Sequence, residues 1–117
     1  MSCLFNSLSY FFNEKSYDIR QKICDYLKQN NPIIDGLDTL FILNLENPNY
    51  IEHMRKTSTW GGAIEIQCAC NIWKSKIIVK DVRRGRHKNI EFLPLHNEIE
   101  KTIHLEWSGG HYEPVRR

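Results

Sequence analysis

Apolar residues recur at helical spacing over the first two-thirds of the chain and crowd into short β-branched runs over the last third. Leu4, Phe5, Leu8 and Phe12 predict a buried helix that begins at or just after Cys3. Asn13-Glu14-Lys15-Ser16 breaks it, and Ile19, Ile23, Tyr26 and Leu27 share one face of a second helix over residues 17–29. Ser16 suits its N-cap and Asn30-Asn31-Pro32 its stop. Between Gly36 and Pro48 the apolar positions Leu37, Leu40, Phe41, Leu43 and Leu45 are compatible with a short helix. Another helix runs from Pro48 to Arg55, with Tyr50, Ile51 and Met54 facing inward. Thr57-Ser58-Thr59-Trp60-Gly61-Gly62 reads as a loop. Ala63 to Trp73 then reads as a helix whose apolar stripe is Ala63, Ile66, Ala69, Cys70 and Trp73.

After Trp73 the period changes. Lys76-Ile77-Ile78-Val79-Lys80 is a β-branched strand, and residues 89–93, 101–107 and 111–115 supply three more. Helices followed by strands predict an α+β domain whose sheet packs on helices.

Composition narrows the picture. A chain of 117 residues with 41% hydrophobic side chains is expected to form one domain, residues 1–117, around one core. Its 16 basic and 14 acidic residues are interspersed and leave a formal charge of +2, too small an excess to favour a nucleic-acid partner. No apolar run approaches the roughly 18–20 residues that cross a bilayer. The opening Met-Ser-Cys-Leu-Phe has no basic flank of a secretory leader. The expectation is a soluble, cytoplasmic monomer without membrane contact. Cys68-Ala-Cys70 has no second Cys/His pair at zinc-finger spacing, so no metal and no cofactor are expected, and the four cysteines are read as reduced.

Two residues carry candidate chemistry. Cys3 sits where a helix begins, and unpaired amides and the helix dipole there favour a thiolate. His111 follows Ser108-Gly109-Gly110, a flexible turn at the head of the last strand, and a neutral imidazole accepts a thiol proton and later returns it. From position alone the bland alternatives are commoner: an inert cysteine within an apolar cluster, and an exposed polar histidine.

The motifs around these residues shift the balance. Ser2-Cys3-Leu4-Phe5-Asn6-Ser7-Leu8 resembles the nucleophile segment of the ovarian-tumour (OTU) family of cysteine proteases. Tyr50 to Met54 followed by Thr59-Trp60-Gly61-Gly62-Ala63-Ile64-Glu65-Ile66 is similar to that family's second block, and His111-Tyr112-Glu113-Pro114-Val115 to its third. The three blocks occur in the family's order and span almost the whole chain. Their wording is most similar to the branch that works with the p97 segregase.

The resemblance implies a papain-like OTU fold, with helices around a small, mostly antiparallel sheet. It also implies a deubiquitinating thiol protease that acts on ubiquitin or polyubiquitin chains, with ubiquitin-like modifiers as further candidates. Cys3 would be the nucleophile and His111 the base. Ser2, Trp60, Gly109, Gly110 and Tyr112 would border the substrate tail. Trp60 alternatively anchors its loop into the core, and Glu65 faces solvent or braces a loop.

Two departures qualify this. The family usually carries an Asp three positions before the nucleophile, and here only Met1 and Ser2 precede Cys3. Either an upstream segment lies outside this sequence or the protein manages without it. Glu113 stands where relatives have Asp or Asn to orient the histidine; Asn97 and Asp81 are weaker candidates. An impaired OTU domain that only binds ubiquitin is therefore the alternative. The run Arg83-Arg84-Gly85-Arg86-His87-Lys88 reads as a solvated hairpin loop, with linkage choice or a nucleic-acid patch as alternatives.

Overall fold

In the computed structural model, which describes residues 3–84, 88–96 and 98–115, the chain enters a helix at Cys3. That helix is α1 (Cys3–Phe12), and it buries Leu4, Phe5 and Leu8 as the spacing demands. It is followed by α2 (Ser16–Lys28), α3 (Thr39–Glu46), α4 (Tyr50–Met54) and α5 (Ala63–Trp73). Four strands then form β1 (Ser75–Asp81), β2 (Asn89–Phe92), β3 (Lys101–Trp107) and β4 (Tyr112–Pro114). The architecture is α+β.

The sheet order is β2-β1-β3-β4, with β1–β2 and β3–β4 antiparallel and the central β1–β3 pair parallel. Parallel neighbours usually need a helical crossover. Here β2 first carries the chain back to the start of β1, so the following loop has only to pass that end. The loop is fastened there: Gln67 Nε2 donates to the Leu93 carbonyl at 2.7 Å, and the Glu100 amide to Lys74 O at 2.7 Å. Ile77 and Val79 of β1 pair with Ile103 and Leu105 of β3 on the buried face. The other face sets Lys76, Ile78 and Lys80 beside Thr102, His104 and Glu106, the usual division for a sheet covered on one side.

The helices depart from the expected patterns at specific points. Ser16 is not the N-cap; α2 is preceded by Lys15, and the Ser16 hydroxyl donates to Asn6 Oδ1, tying α2 to α1. On α5 Ala63 is exposed, whereas Glu65 and Cys68 are buried. Of the apolar set in and just before α3 only Leu43 is buried, and Leu37, Leu40, Phe41 and Leu45 remain exposed. Asp38 caps that helix by accepting from the Phe41 amide at 3.1 Å.

The joint that matters most is between α1 and the loop before α5. A Cβ on Gly61 would lie 2.8 Å from Leu4 Cδ2 and 3.0 Å from two ring atoms of Phe5. On the face of that ring, the Arg20 guanidinium stacks 4.1 Å from the centroid. Arg20 is fully buried on the apolar face of α2, and its Nη1 donates to Met54 O at 2.7 Å. Gly61→Ala should therefore cost about 1–3 kcal/mol, because the methyl meets core side chains already in contact. Urea unfolding monitored by circular dichroism measures this, and an unchanged midpoint would show that the joint yields freely.

Candidate active site

Cys3 stands at the first position of α1, in the turn whose amides have no acceptor within the helix itself. One turn on, the Ser7 hydroxyl is buried and donates to Cys3 O at 2.8 Å, which fixes the backbone of this turn. Of the four cysteines Cys3 alone is partly exposed; Cys24, Cys68 and Cys70 are buried. Burial pushes the Cys24 thiol up to about 11 and the Cys70 thiol up to about 12, so neither forms a thiolate readily at neutral pH.

The β3–β4 turn brings His111 to the same place. The Ser108 amide donates to His111 O at 3.0 Å and closes the turn. His111 Nε2 lies 3.2 Å from Glu113 Oε1, with the two side chains 55% and 65% exposed. The extra methylene of Glu thus does not prevent contact with the imidazole. Asp81 is engaged elsewhere, by Arg83, and Asn97 lies outside the described residues.

A cleft of about 870 Å³ joins these groups: Cys3, His111, Tyr112, Glu113, Trp60 and Gly110 all line it. Asn6, Ser7, Tyr10 and Pro114 complete the lining. The first three follow Cys3 along one helix, so their helical spacing from Cys3 is the signal that could have found them. Trp60 is 53% exposed, so it is not sunk into the core, and its ring edge lies 3.4 Å from where a Gly110 Cβ would stand. Tyr112 is half-buried beside Cys3; burial, then the charges of Cys3 and Glu65, hold its phenol above the ordinary value. Gly109, expected in the cleft wall, is not part of this lining and turns its open side toward Arg83. Ser2 lies outside the described residues.

Residues 2–112 match the OTU-like cysteine protease family. The chain belongs to that family. It is 27% identical over 122 residues to ubiquitin thioesterase OTU1 of Xenopus laevis, covering 99% of this chain and 38% of the relative. The putative ubiquitin thioesterase otu1 of Schizosaccharomyces pombe is 27% identical over 112 residues, 96% of this chain and 32% of the relative. The chain therefore spans about a third of the length of these curated relatives. Among solved structures, an ovarian-tumour domain in complex with ubiquitin superposes with a TM-score of 0.74 at 26% identity, covering 97% of this chain and 62% of that one. The viral OTU domain protease from Dera Ghazi Khan virus shares the fold, with a TM-score of 0.70 at 21% identity over 98% of this chain and 74% of that one.

The OTU domain holds the Trp60 loop from behind with groups that the apolar pattern assigns to the surface. Glu65, expected at solvent or bracing a loop, is 1% exposed and does the second. Its Oε1 accepts from the Gly62 amide at 2.8 Å and its Oε2 from the Tyr50 hydroxyl at 2.6 Å. This is the carboxylate half of a capping box; Gly62 has no side chain to supply the other half. Burial raises the Glu65 carboxyl above the ordinary 4.5, against the opposing pull of Tyr50, the Gly62 and Glu65 amides, and Arg20. Thr59 Oγ1 donates to His53 O at 2.5 Å and Gln21 Nε2 to Arg55 O at 3.0 Å, which ties the loop to α4 and the end of α4 to α2.

A raised carboxyl has a definite pH signature. The native state binds the Glu65 proton more tightly than the unfolded chain, so its contribution to stability is fully present below about 4.5, the unfolded value, and falls as pH rises through the folded value. Wild type should therefore lose stability relative to Glu65→Gln as pH rises from 4.5, the ordinary value. Urea titrations of both proteins from acid to neutral pH give the difference curve; a flat or rising curve would contradict the assignment.

Proposed function

We propose that this chain is a deubiquitinating thiol hydrolase that cleaves the isopeptide bond after the C-terminal glycine of ubiquitin. The observation that carries the reading is the convergence of Cys3, His111 and Glu113 on one cleft. Two relatives bear the name ubiquitin thioesterase, and a similar solved domain is bound to ubiquitin, which supports the choice of substrate.

The Cys3 thiol gives its proton to His111, and the sulfur attacks the isopeptide carbonyl. With Nε2 facing Glu113, Nδ1 is the nitrogen left to take that proton. Amides of the first turn of α1 hold the oxyanion. The tetrahedral adduct collapses, the lysine amine leaves with the proton from the imidazolium, and ubiquitin remains as a thioester on Cys3. Water then attacks with His111 as base, which releases the ubiquitin carboxylate and restores the thiol. Thiol, imidazole and water suffice, so no cofactor or metal enters. A ubiquitin tail ending in Gly-Gly brings no side chains to the part of the cleft lined by Trp60, Gly110 and Tyr112, and Ser2 adjoins Cys3 in the chain. A reducing, cytoplasmic setting suits a working thiol.

A ubiquitin bearing a C-terminal electrophile should label Cys3, and neither Cys3→Ala nor His111→Ala should turn over a ubiquitin amide. Glu113→Gln should lower kcat about 10- to 100-fold. That is less than the ~10⁴-fold loss known for a buried triad carboxylate, because this pair is open to water. Mass spectrometry of the adduct and steady-state kinetics read these outcomes. A folded protein that binds ubiquitin but forms no adduct would instead be the impaired binding module.

A further inference from the structure

The Ser108–Gly110 turn that carries His111 rests on a group outside the cleft. Asp81 ends β1 with its carboxylate buried, and a buried charge needs a partner. Arg83 supplies one in fork geometry: Nε lies 3.0 and 3.2 Å from the two carboxylate oxygens and Nη2 2.7 Å from the second. The Arg83 amide donates to the same carboxylate at 3.0 Å, so the bend itself is pinned. The guanidinium then lies over the Trp107 ring, 4.3 Å from its centroid. Trp107 closes β3, is bridged to β1 by the Val82 amide at 2.9 Å, and faces Tyr112 across the turn at 6.4 Å between ring centroids.

The stem of Arg83 completes the arrangement. Gly109 has φ +103°, a conformation suited to glycine, and a Cβ there would lie 3.3 Å from Arg83 Cδ. The backbone of the turn thus sits directly on the Arg83 methylenes, whose position is set by Asp81 at the head and Trp107 on the flank. Gly110 and His111 follow at once on the opposite side, facing Trp60 and the cleft.

We infer that Arg83, locked by Asp81 and Trp107, is a positioning residue that sets the height of the Gly109–Gly110 turn and with it the place of His111. The inference rests on the hydrolase reading for its kinetic consequence only; the structural consequence stands apart from it. Exposed Arg84 next in the chain provides a comparison of equal charge.

The test uses the full chain, with Arg83→Ala, Arg83→Lys and Arg84→Ala measured on a fluorogenic ubiquitin C-terminal amide. Arg83→Ala should lower kcat about 10- to 100-fold, the scale expected for a catalytic group misplaced by about an ångström, with KM nearly unchanged. Arg83→Lys, which keeps the methylenes under Gly109, should recover most of the loss. Hydrogen exchange at the Ser108 amide should speed up in Arg83→Ala and not in Arg84→Ala, at temperatures where both remain folded. Equal, salt-sensitive rises in KM for the two alanine variants would overturn the inference, because a basic patch that attracts substrate would explain them. Unchanged Ser108 exchange in Arg83→Ala would overturn it as well. A wild type that exchanges as expected but cleaves nothing would refute the hydrolase reading while leaving the positioning role in place.

Discussion

Phe5 is held between a glycine and a buried arginine, and the site depends on that arrangement. Its ring edge fills the space beside Gly61, and its face lies under the Arg20 guanidinium. The ring is two residues from Cys3, so the contact that seats it also sets where α1 begins relative to the Trp60 loop. Arg20 binds the carbonyl of Met54 at the end of α4, which leads into that loop. One buried cation thereby couples three helices, and a smaller residue in place of Phe5 or a larger one in place of Gly61 would disturb the seat of Cys3 against the Trp60 loop. Removing one partner of such a buried charge is strongly destabilising, because the charge is left uncompensated.

The second half of the site is built by different means. His111 comes from a turn between β3 and β4, the edge pair of a sheet whose inner face is packed on helices. The Ser108 amide and hydroxyl both donate to His111 O and close the turn, while its two glycines leave the backbone itself flexible. The support is lateral, through Asp81, Arg83 and Trp107 on one side and the Trp60 ring on the other. A rigid helix start thus meets a braced turn across an open cleft, and Glu113 touches the imidazole from the strand just beyond.

Much of this is legible in the residues. The three- and four-residue apolar steps locate α1, α2 and α5, and β-branching locates β1 and β3. Burial patterns fail where a polar side chain has taken a core position. Arg20 shares the helical face of Ile23 and Leu27, and Glu65 lies beside Ile66; an apolar pattern passes over both because it counts only apolar side chains. Their partners, the Met54 carbonyl and the Tyr50 hydroxyl, are 34 and 15 residues away and become visible only once the chain is folded. The parallel pairing of β1 with β3 is also hidden, because alternation gives a strand's faces but not its direction. The motif blocks identify Cys3 and His111 but give no sign of Arg83, whose role follows from stacking on Trp107 and from the open side of Gly109.

The proposed chemistry requires Cys3 and His111, which line one cleft, to act as one chemical unit. The most direct measurement is the second-order rate of alkylation of Cys3 by a small neutral haloacetamide near pH 7, in wild type and in folded His111→Ala. It needs no ubiquitin, and adduct mapping separates Cys3 from the three buried thiols. An imidazole that takes the thiol proton should make wild type react at least about tenfold faster than the variant. Equal rates would contradict this, because the two residues would then share a cleft without sharing a proton.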